Sequence, residues 1–369
     1  MWPKITVNEL NLQRGMVTQI EGQLLFVGDG DKTTNTGKLY PVNAHSDLDE
    51  LLGASVSTLK SNVAAALLNA GQNAFFYAYA LKEGQKWHEA VNEVQQQASF
   101  EGVVVVNDCA KEDITAASNL RASLLTHYGR WTWFILSIVG IDKEKQDWAG
   151  YATALKAIVK DVVATAVQVV PRNFGNEPGV LAGRLVNSSV TVADSPARVM
   201  TGALLALGND KLPVDKDKKP IDLATLQDLE KARFSVPIWY PDYEGIYWSD
   251  GRTLDVNGGD YQSIESLRTV DKAARRIRLL AIPKIADRSL NSTPVSIATH
   301  QQYFAKVLRE MAKSTVIKGV MFPGECKTPK DGDVTITWKS EKEVQIFVLV
   351  RTYECPMGIE VNIMLDKGE

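Results

Sequence analysis

Apolar and polar positions change rhythm twice along this chain. Near the start Ile5 and Val7, and less regularly Leu10 and Leu12, stand among polar residues, which reads as a strand or extended arm. Gly15 breaks that pattern, and QLLFVGDGD (residues 23–31) reads as a second strand running into a Gly/Asp turn. From residue 74 to about 187, apolar runs alternate with helical stretches. The runs are AFFYAYAL (74–81), GVVVVND (102–108), WTWFILSIVG (131–140) and AVQVVP (166–171). The stretches between them cover 87–97, 114–128 and 148–163. In the last, Tyr151, Leu155, Ile158 and Val162 fall on one helical face. Asp113 is placed to cap the helix that begins at Ile114. Strand–helix–strand repetition with near-continuous apolar strands predicts an α/β layer on a largely parallel sheet.

A charged, proline-containing loop, GNDKLPVDKDKKPID (208–222), ends that regime. The second half reads as α+β with an antiparallel sheet. A hairpin is expected around Ser249-Asp250-Gly251. A helix over 261–280 follows, with Ile264, Leu267, Ala274 and Ile277 as its buried line. A second helix over 295–312 carries Tyr303, Phe304, Val307, Leu308 and Met311. Strands are expected at 316–322, 334–339, 344–353 and 357–365. At 369 residues the chain has room for two or three domains, and 45% apolar with 23% charged residues gives ample core material. A net charge of −3 supplies no overall pull toward nucleic acid. The longest apolar runs, WTWFILSIVGI and VQIFVLV, are too short to span a bilayer. The opening MWPKITVNELNLQRG lacks the apolar stretch of a signal peptide. Cys109, Cys326 and Cys355 lie far apart and read as reduced thiols.

Candidate chemistry changes this picture little. FVGDGDKTTNTGKL has the rhythm of a phosphate loop, but Lys32 takes the place of the first glycine and Leu39 that of the hydroxyl residue. Asp29 and Asp31 would also repel phosphate. His45, His88, His127 and His300 never pair at metal-ligand spacing. There is no G-x-S-x-G elbow, and the strand GVVVVND leaves without a Rossmann glycine. The carboxylate pairs Asp47/Asp49 and Asp215/Asp217 sit in charged loops. No catalytic residue, cofactor or metal ligand is therefore expected, and an α/β layer without its usual ligand loops argues against an enzyme. EGIYWSDGRTLD (244–255) admits two readings. It is a hairpin with Asp250-Gly251 as its turn, Tyr247 and Trp248 for packing and Arg252 on an edge, or it is a contact surface rich in hot-spot residues. SLRTVDKAARRIR likewise reads as a solvated helix face with Asp271 and Arg275 as an i,i+4 pair, or as a charged docking face.

EGIYWSDGRTLD followed by DYQSIESLRTVDKAARRIR resembles a segment of contractile tail sheath proteins, in which a turn and Arg-Thr-Leu precede a helix. NEPGVLAGRLVNSSVTVADSPARV (176–199) and the closing DGDVTITWKSEKEVQIFVLVRTYECPMGIEVNIMLD resemble further sheath stretches, so the likeness covers most of the chain. The N-terminal MWPKITVNELNLQRG departs from the commonest sheath start, an extended Pro-Gly-Val-Tyr-type segment, and resembles that of a divergent group of phage sheaths. The resemblance implies an arm at 1–22, an α/β domain at 23–235, an α+β sheath domain at 236–354 and an arm at 355–369. It implies a mechanical subunit, with arms that add strands to neighbouring copies in hexameric rings stacked into a helical sleeve. The implied partners are the tail tube, the baseplate and the tail terminator, with no direct nucleic-acid contact and no membrane insertion. The implied location is the virion tail, after assembly in the host bacterial cytoplasm. The implied arm residues are Ile5, Val7, Leu10 and Leu12 at one end and Ile359, Val361, Ile363 and Leu365 at the other. At the second end the sequence itself alternates strictly, with Glu360, Asn362, Met364 and Asp366 between them. A C-terminal-domain helix would face the tube through Lys306, Arg309 and Lys313. The rivals are another tail or baseplate structural protein and, in a different class, a nucleotide-dependent α/β enzyme.

Overall fold

The computed structural model describes residues 20–31 and 36–365, so the N-terminal arm positions Ile5, Val7, Leu10 and Leu12 lie outside the described residues. Six strands form one sheet: β1 (Leu24–Gly28), β2 (Leu39–Asn43), β3 (Phe75–Ala80), β4 (Gly102–Val105), β5 (Trp133–Ile138) and β6 (Val167–Pro171). Their order is β2-β3-β1-β4-β5-β6, parallel except for the antiparallel edge strand β2. Every residue of β1, β4, β5 and β6 is buried, because helices cover both faces and a strand so placed must be apolar on both sides.

One face packs α3 (Trp87–Val94), α4 (Lys111–Tyr128), α5 (Trp148–Val159) and α7 (Leu223–Lys231) against Leu25, Val27, Val103, Val105, Phe134 and Leu136. The other packs α1 (Leu48–Leu52), α2 (Thr58–Ala70) and α6 (Glu177–Leu185) against Leu24, Phe26, Val104 and Ile135. Successive strand residues serve opposite cores, as a two-residue side-chain period requires. Helices α2 and α6 meet backbone to backbone. A Cβ on Gly179 would lie 2.2 Å from the Asn62 carbonyl oxygen, and one on Gly183 2.3 Å from that of Ala66.

The second half is built on α8 (Ile264–Ala281) and α9 (Pro294–Met311). Phe304, Val307, Leu308 and Met311 of α9 form small cores with Ala273 of α8, Cys326 and the hairpin residues Val334 and Ile336. Instead of one antiparallel sheet, the described residues form three separate hairpins. These are β7–β8 (Pro237–Tyr240, Tyr243–Trp248), β9–β10 (Thr315–Ile317, Val320–Phe322) and β11–β12 (Val334–Ser340, Glu343–Val348). The hydrophobic packing does not stop at residue 235. Trp248, Leu254, Ile264 and Leu267 all reach the cores of the six-stranded sheet.

Several expectations need correction. The strand expected over 316–322 is folded in two by Lys318 and Gly319, both at positive φ (49° and 81°). The turn of the next expected hairpin is not at Asp250-Gly251 but at residues 241–242, with Asp242 at φ 61°. Helix α4 starts three residues before Ile114. Asp113 sits inside its first turn and accepts a hydrogen bond from the Ala110 N–H at 2.8 Å. Strand β12 ends at Val348, and 357–365 form no strand within this chain.

Candidate assembly site

Helix α8 carries Arg268, Asp271, Lys272 and Arg275 at steps of three and four, which places them on one face. That face is turned inward, so neither reading of it holds as written. The charged residues dock against partners within the same chain. The Arg268 guanidinium meets the Glu101 carboxylate twice, Nε to Oε1 at 2.7 Å and Nη2 to Oε2 at 3.0 Å, and donates to the Leu185 carbonyl at 2.7 Å. Arg268 is 2% exposed and Glu101 0%, and the guanidinium lies 5.7 Å from the centre of the buried Trp133 ring. Burial alone would push the Glu101 carboxyl up, but the Arg268 and Arg275 guanidiniums outweigh it and hold it below the ordinary carboxylate value.

The expected i,i+4 pair of Asp271 with Arg275 is replaced by two long-range pairs. Asp271 takes a bidentate contact from Arg121 of α4, at 2.8 and 3.0 Å. Arg275 reaches Glu21 at 2.9 Å, and Lys272 reaches Glu325 at 2.5 Å. One helix therefore ties the start of β4, helix α4, the entry to β1 and the loop after β10 together. Sequence reasoning missed Glu21, Glu101, Arg121 and Glu325 as its partners. Each partner lies 53 to 254 residues along the chain from the α8 residue it meets, and nothing local to any of them announces the pairing.

Residues 244–255 serve the same internal purpose. Trp248 is fully buried and donates its Nε1–H to Ser235 Oγ at 2.8 Å, while Ser235 Oγ–H donates to the Asp250 carbonyl at 2.7 Å. Arg252, expected on a hairpin edge, bridges to Ser263 and pairs with Glu230 at 3.2 Å. The Leu254 N–H donates to Val167 of β6 at 2.9 Å. At the hairpin tip Tyr240 and Tyr243 are exposed, and their rings tilt against that of Tyr247 at 5.9 and 5.7 Å between centres.

The C-terminal segment behaves in the opposite way. Ile359, Val361, Ile363 and Leu365 are 81%, 72%, 90% and 80% exposed, and Met364 on the alternate face is 92% exposed. Residues 358–365 make no backbone hydrogen bond with any described residue. The chain is last held to the body by Arg351 with Asp333 and by Lys327 with Glu354. Beyond Met357, residues 358–365 form an alternating ribbon that pairs with no strand among the described residues. The hairpin β11–β12 has no third strand among the described residues, so both of its outer edges are open.

Lys306, Arg309 and Lys313 are all exposed, along α9 and just past its end. Arg309 folds back onto Gln302, at 2.8 Å to Oε1 and 2.7 Å to the carbonyl, and Lys306 lies 3.8 Å from Glu310. The strand ends where an α/β sheet usually takes a ligand are stitched by the chain itself. The Asp29 N–H donates to Asn107 Oδ1 at 2.8 Å, the Leu81 N–H to the Gly28 carbonyl at 3.0 Å, and Arg172 pairs with Asp108. His300 is buried and its Nδ1 lies 2.9 Å from the Ser296 carbonyl, as a core residue of α9.

Comparison with known proteins agrees with this geometry. The family described as DUF2586 matches twice, its N-terminal domain over residues 2–252 and its C-terminal domain over 260–368. A protein of Haemophilus phage HP1 (strain HP1c1), provisionally named a tail sheath protein, is 50% identical over 372 residues, covering 99% of this chain and 98% of its own. The fold is shared with the sheath of an extracellular contractile injection system, PVC, in its contracted state (TM-score 0.61, 14% identity, 100% and 98% covered). It is shared equally with the contracted helical sheath of the anti-feeding prophage (TM-score 0.61, 13% identity, 99% of each chain). The sheath tail protein of Desulfitobacterium hafniense is more distant (TM-score 0.54, 10% identity, 95% and 96% covered). Matched along almost its whole length in both sequence and fold, the chain belongs to the DUF2586 family of phage tail sheath proteins.

Proposed function

We propose that this protein is the structural subunit of a contractile tail sheath, a mechanical part with no reaction of its own, whose copies stay linked by their arms while their bodies repack. The observation that carries the reading is the C-terminal ribbon, which presents apolar side chains to solvent and unpaired backbone to any open strand edge. A monomer has no use for such a segment, and a polymer does. Added to an edge of β11–β12 in a neighbouring copy, it would gain main-chain hydrogen bonds of about 0.5–1.5 kcal/mol each. Each apolar side chain fully buried there would contribute about 1.5–3 kcal/mol more. Ile5, Val7, Leu10 and Leu12 are proposed to do the same at the other end of the chain.

The bodies are proposed to divide into units at 23–235 and 236–354, with arms at 1–22 and 355–369. Six copies would form each ring, and rings would stack around a tail tube faced by Lys306, Arg309 and Lys313. The baseplate and terminator would close the two ends of a virion tail assembled in the host cytoplasm. Contraction then needs only a second packing of rigid bodies that is better by a few kcal/mol per copy, on the order of one or two ordinary contacts.

Deleting residues 357–369 tests the reading directly. The truncated chain should fold with unchanged circular dichroism and remain monomeric, while the full chain forms striated hollow tubes in negative stain. Tubes formed by the truncated chain would overturn the arm mechanism.

A further inference from the structure

A cleft opens where the C-terminal ribbon leaves the body. It holds about 250 Å³ and is walled by the 191–194 turn, the first turns of α8, the 322–325 loop and the chain at Tyr353, Cys355 and Met357. Tyr353 and Met357 are 46% and 54% exposed, so the mouth stands open to solvent. Four carboxylates line it: Asp194, Asp250, Glu265 and Glu325.

Two of these acids are matched inside the subunit. Asp194 accepts from the Thr191 N–H and hydroxyl at 2.6 and 2.8 Å, and Glu325 holds Lys272 at 2.5 Å. Asp250 and Glu265 are partly buried and form no ion pair with any described residue. The cations that act on them are already taken, Arg252 by Glu230 at 3.2 Å and Arg268 by Glu101 at 2.7 Å. A separate observation points the same way. Thr269, one helical turn on from Glu265, lines the cleft, is 0% exposed, and its Oγ1 has no hydrogen-bond partner. Glu265 Oε2 is likewise buried and unpartnered. Such a wall is rich in acceptors and short of donors, and it is satisfied by a group that brings N–H donors and positive charge. Among the described residues no set of His, Cys, Asp and Glu is placed to hold a metal ion, so the group that fits is the ammonium or guanidinium end of a long side chain.

We propose that this cleft receives a lysine or arginine side chain from a second copy of the chain. The inference rests on the sheath reading. A ribbon handed to a neighbour draws that neighbour against the ribbon's root, and the root is one wall of the cleft. The charges are complementary. The β11–β12 hairpin, proposed above to accept the ribbon, carries Lys342 in its turn, exposed and without an ion pair among the described residues. In the free subunit Asp250 and Glu265 repel each other. A base from the neighbour matches both, so the contact stabilises the polymer and not the monomer.

The test compares the parent chain with Asp250→Asn/Glu265→Gln. Two quantities are read: the lowest protein concentration that gives tubes in negative stain, and the urea midpoint below that concentration. The double variant should need at least about tenfold more protein to form tubes. Its urea midpoint should equal the parent's or exceed it, because two repelling charges are gone. Glu83→Gln/Glu144→Gln removes the same charge from exposed positions outside the cleft and should assemble like the parent. Parent tubes matched by double-variant tubes at the same concentration would overturn this inference and leave the sheath reading standing. An equal assembly defect in the Glu83/Glu144 variant would overturn it too. So would a lowered midpoint or failure to fold in the double variant, which would make the two acids struts of the subunit itself. A parent chain that forms no tubes would sink the sheath reading and this inference with it.

Discussion

At the scale of single residues, the molecule places charge where its composition does not lead one to expect it. Arg268 and Glu101 are both interior, and a buried pair of this kind contributes little net stability while intact. Removing one partner is a different matter, because it leaves the other charge dry and unmatched. Arg268→Ala should therefore destabilise the subunit by about 3–5 kcal/mol, read as a fall in urea midpoint at unchanged slope. Glu177 shows the converse case. It is fully buried at the first turn of α6 and accepts from the Phe174 and Gly175 N–H groups at 2.5 and 2.7 Å, yet burial pushes its carboxyl up to about 7. Between its unfolded value near 4.3 and that raised value, the folded chain holds a proton that the unfolded chain has released. Its contribution to stability therefore falls as pH rises through that window. Glu177→Gln should flatten the decline in urea midpoint across about pH 4–7 relative to the parent protein.

At the scale of elements, the contrast is between segments that find partners at home and one that does not. The strand period at 74–81, 102–108, 131–140 and 166–171 marks real strands, because strands covered on both faces must be apolar throughout. Sequence reading assigns no strand or helix to 32–73 and places Asp47 and Asp49 in a charged loop, yet β2, α1 and α2 lie there, with Asp47 capping α1 and Asp49 in its first turn. Helix α2 is packed on several sides and rich in alanine, so it shows no clear polar face. The informative signal was local chemistry, with Ser57 capping the Lys60 N–H at 3.2 Å and Gly71 closing the helix. Its contact with α6 is close because glycine faces backbone. Gly183→Val should cost about 1–3 kcal/mol through overpacking, seen as a lower melting temperature.

At the scale of the whole molecule, one helix and a ribbon divide the labour. Helix α8 locks the parts of one subunit together through side-chain charge, while the exposed ribbon is the segment proposed to serve neighbouring copies. A subunit that exports part of its packing gains stability on assembly, because binding to the folded state alone raises the unfolding free energy. The full chain should therefore melt at a temperature that rises with protein concentration, whereas the chain lacking 357–369 should melt at one independent of it. Scanning calorimetry at several concentrations separates the two.

The sequence by itself determined what repeats over a few residues: the alternation of strands and helices in the first half, the positions of α8 and α9, and the period-two ribbon at the C-terminus. These patterns follow from backbone geometry, which acts between near neighbours. Only the tertiary structure decided which way the charged face of α8 points, that Asp250-Gly251 lies beyond its hairpin instead of turning it, and that 316–322 folds on itself. Each of those depends on contacts between residues far apart along the chain, or on a turn at Lys318-Gly319 whose backbone angles an apolar run does not reveal.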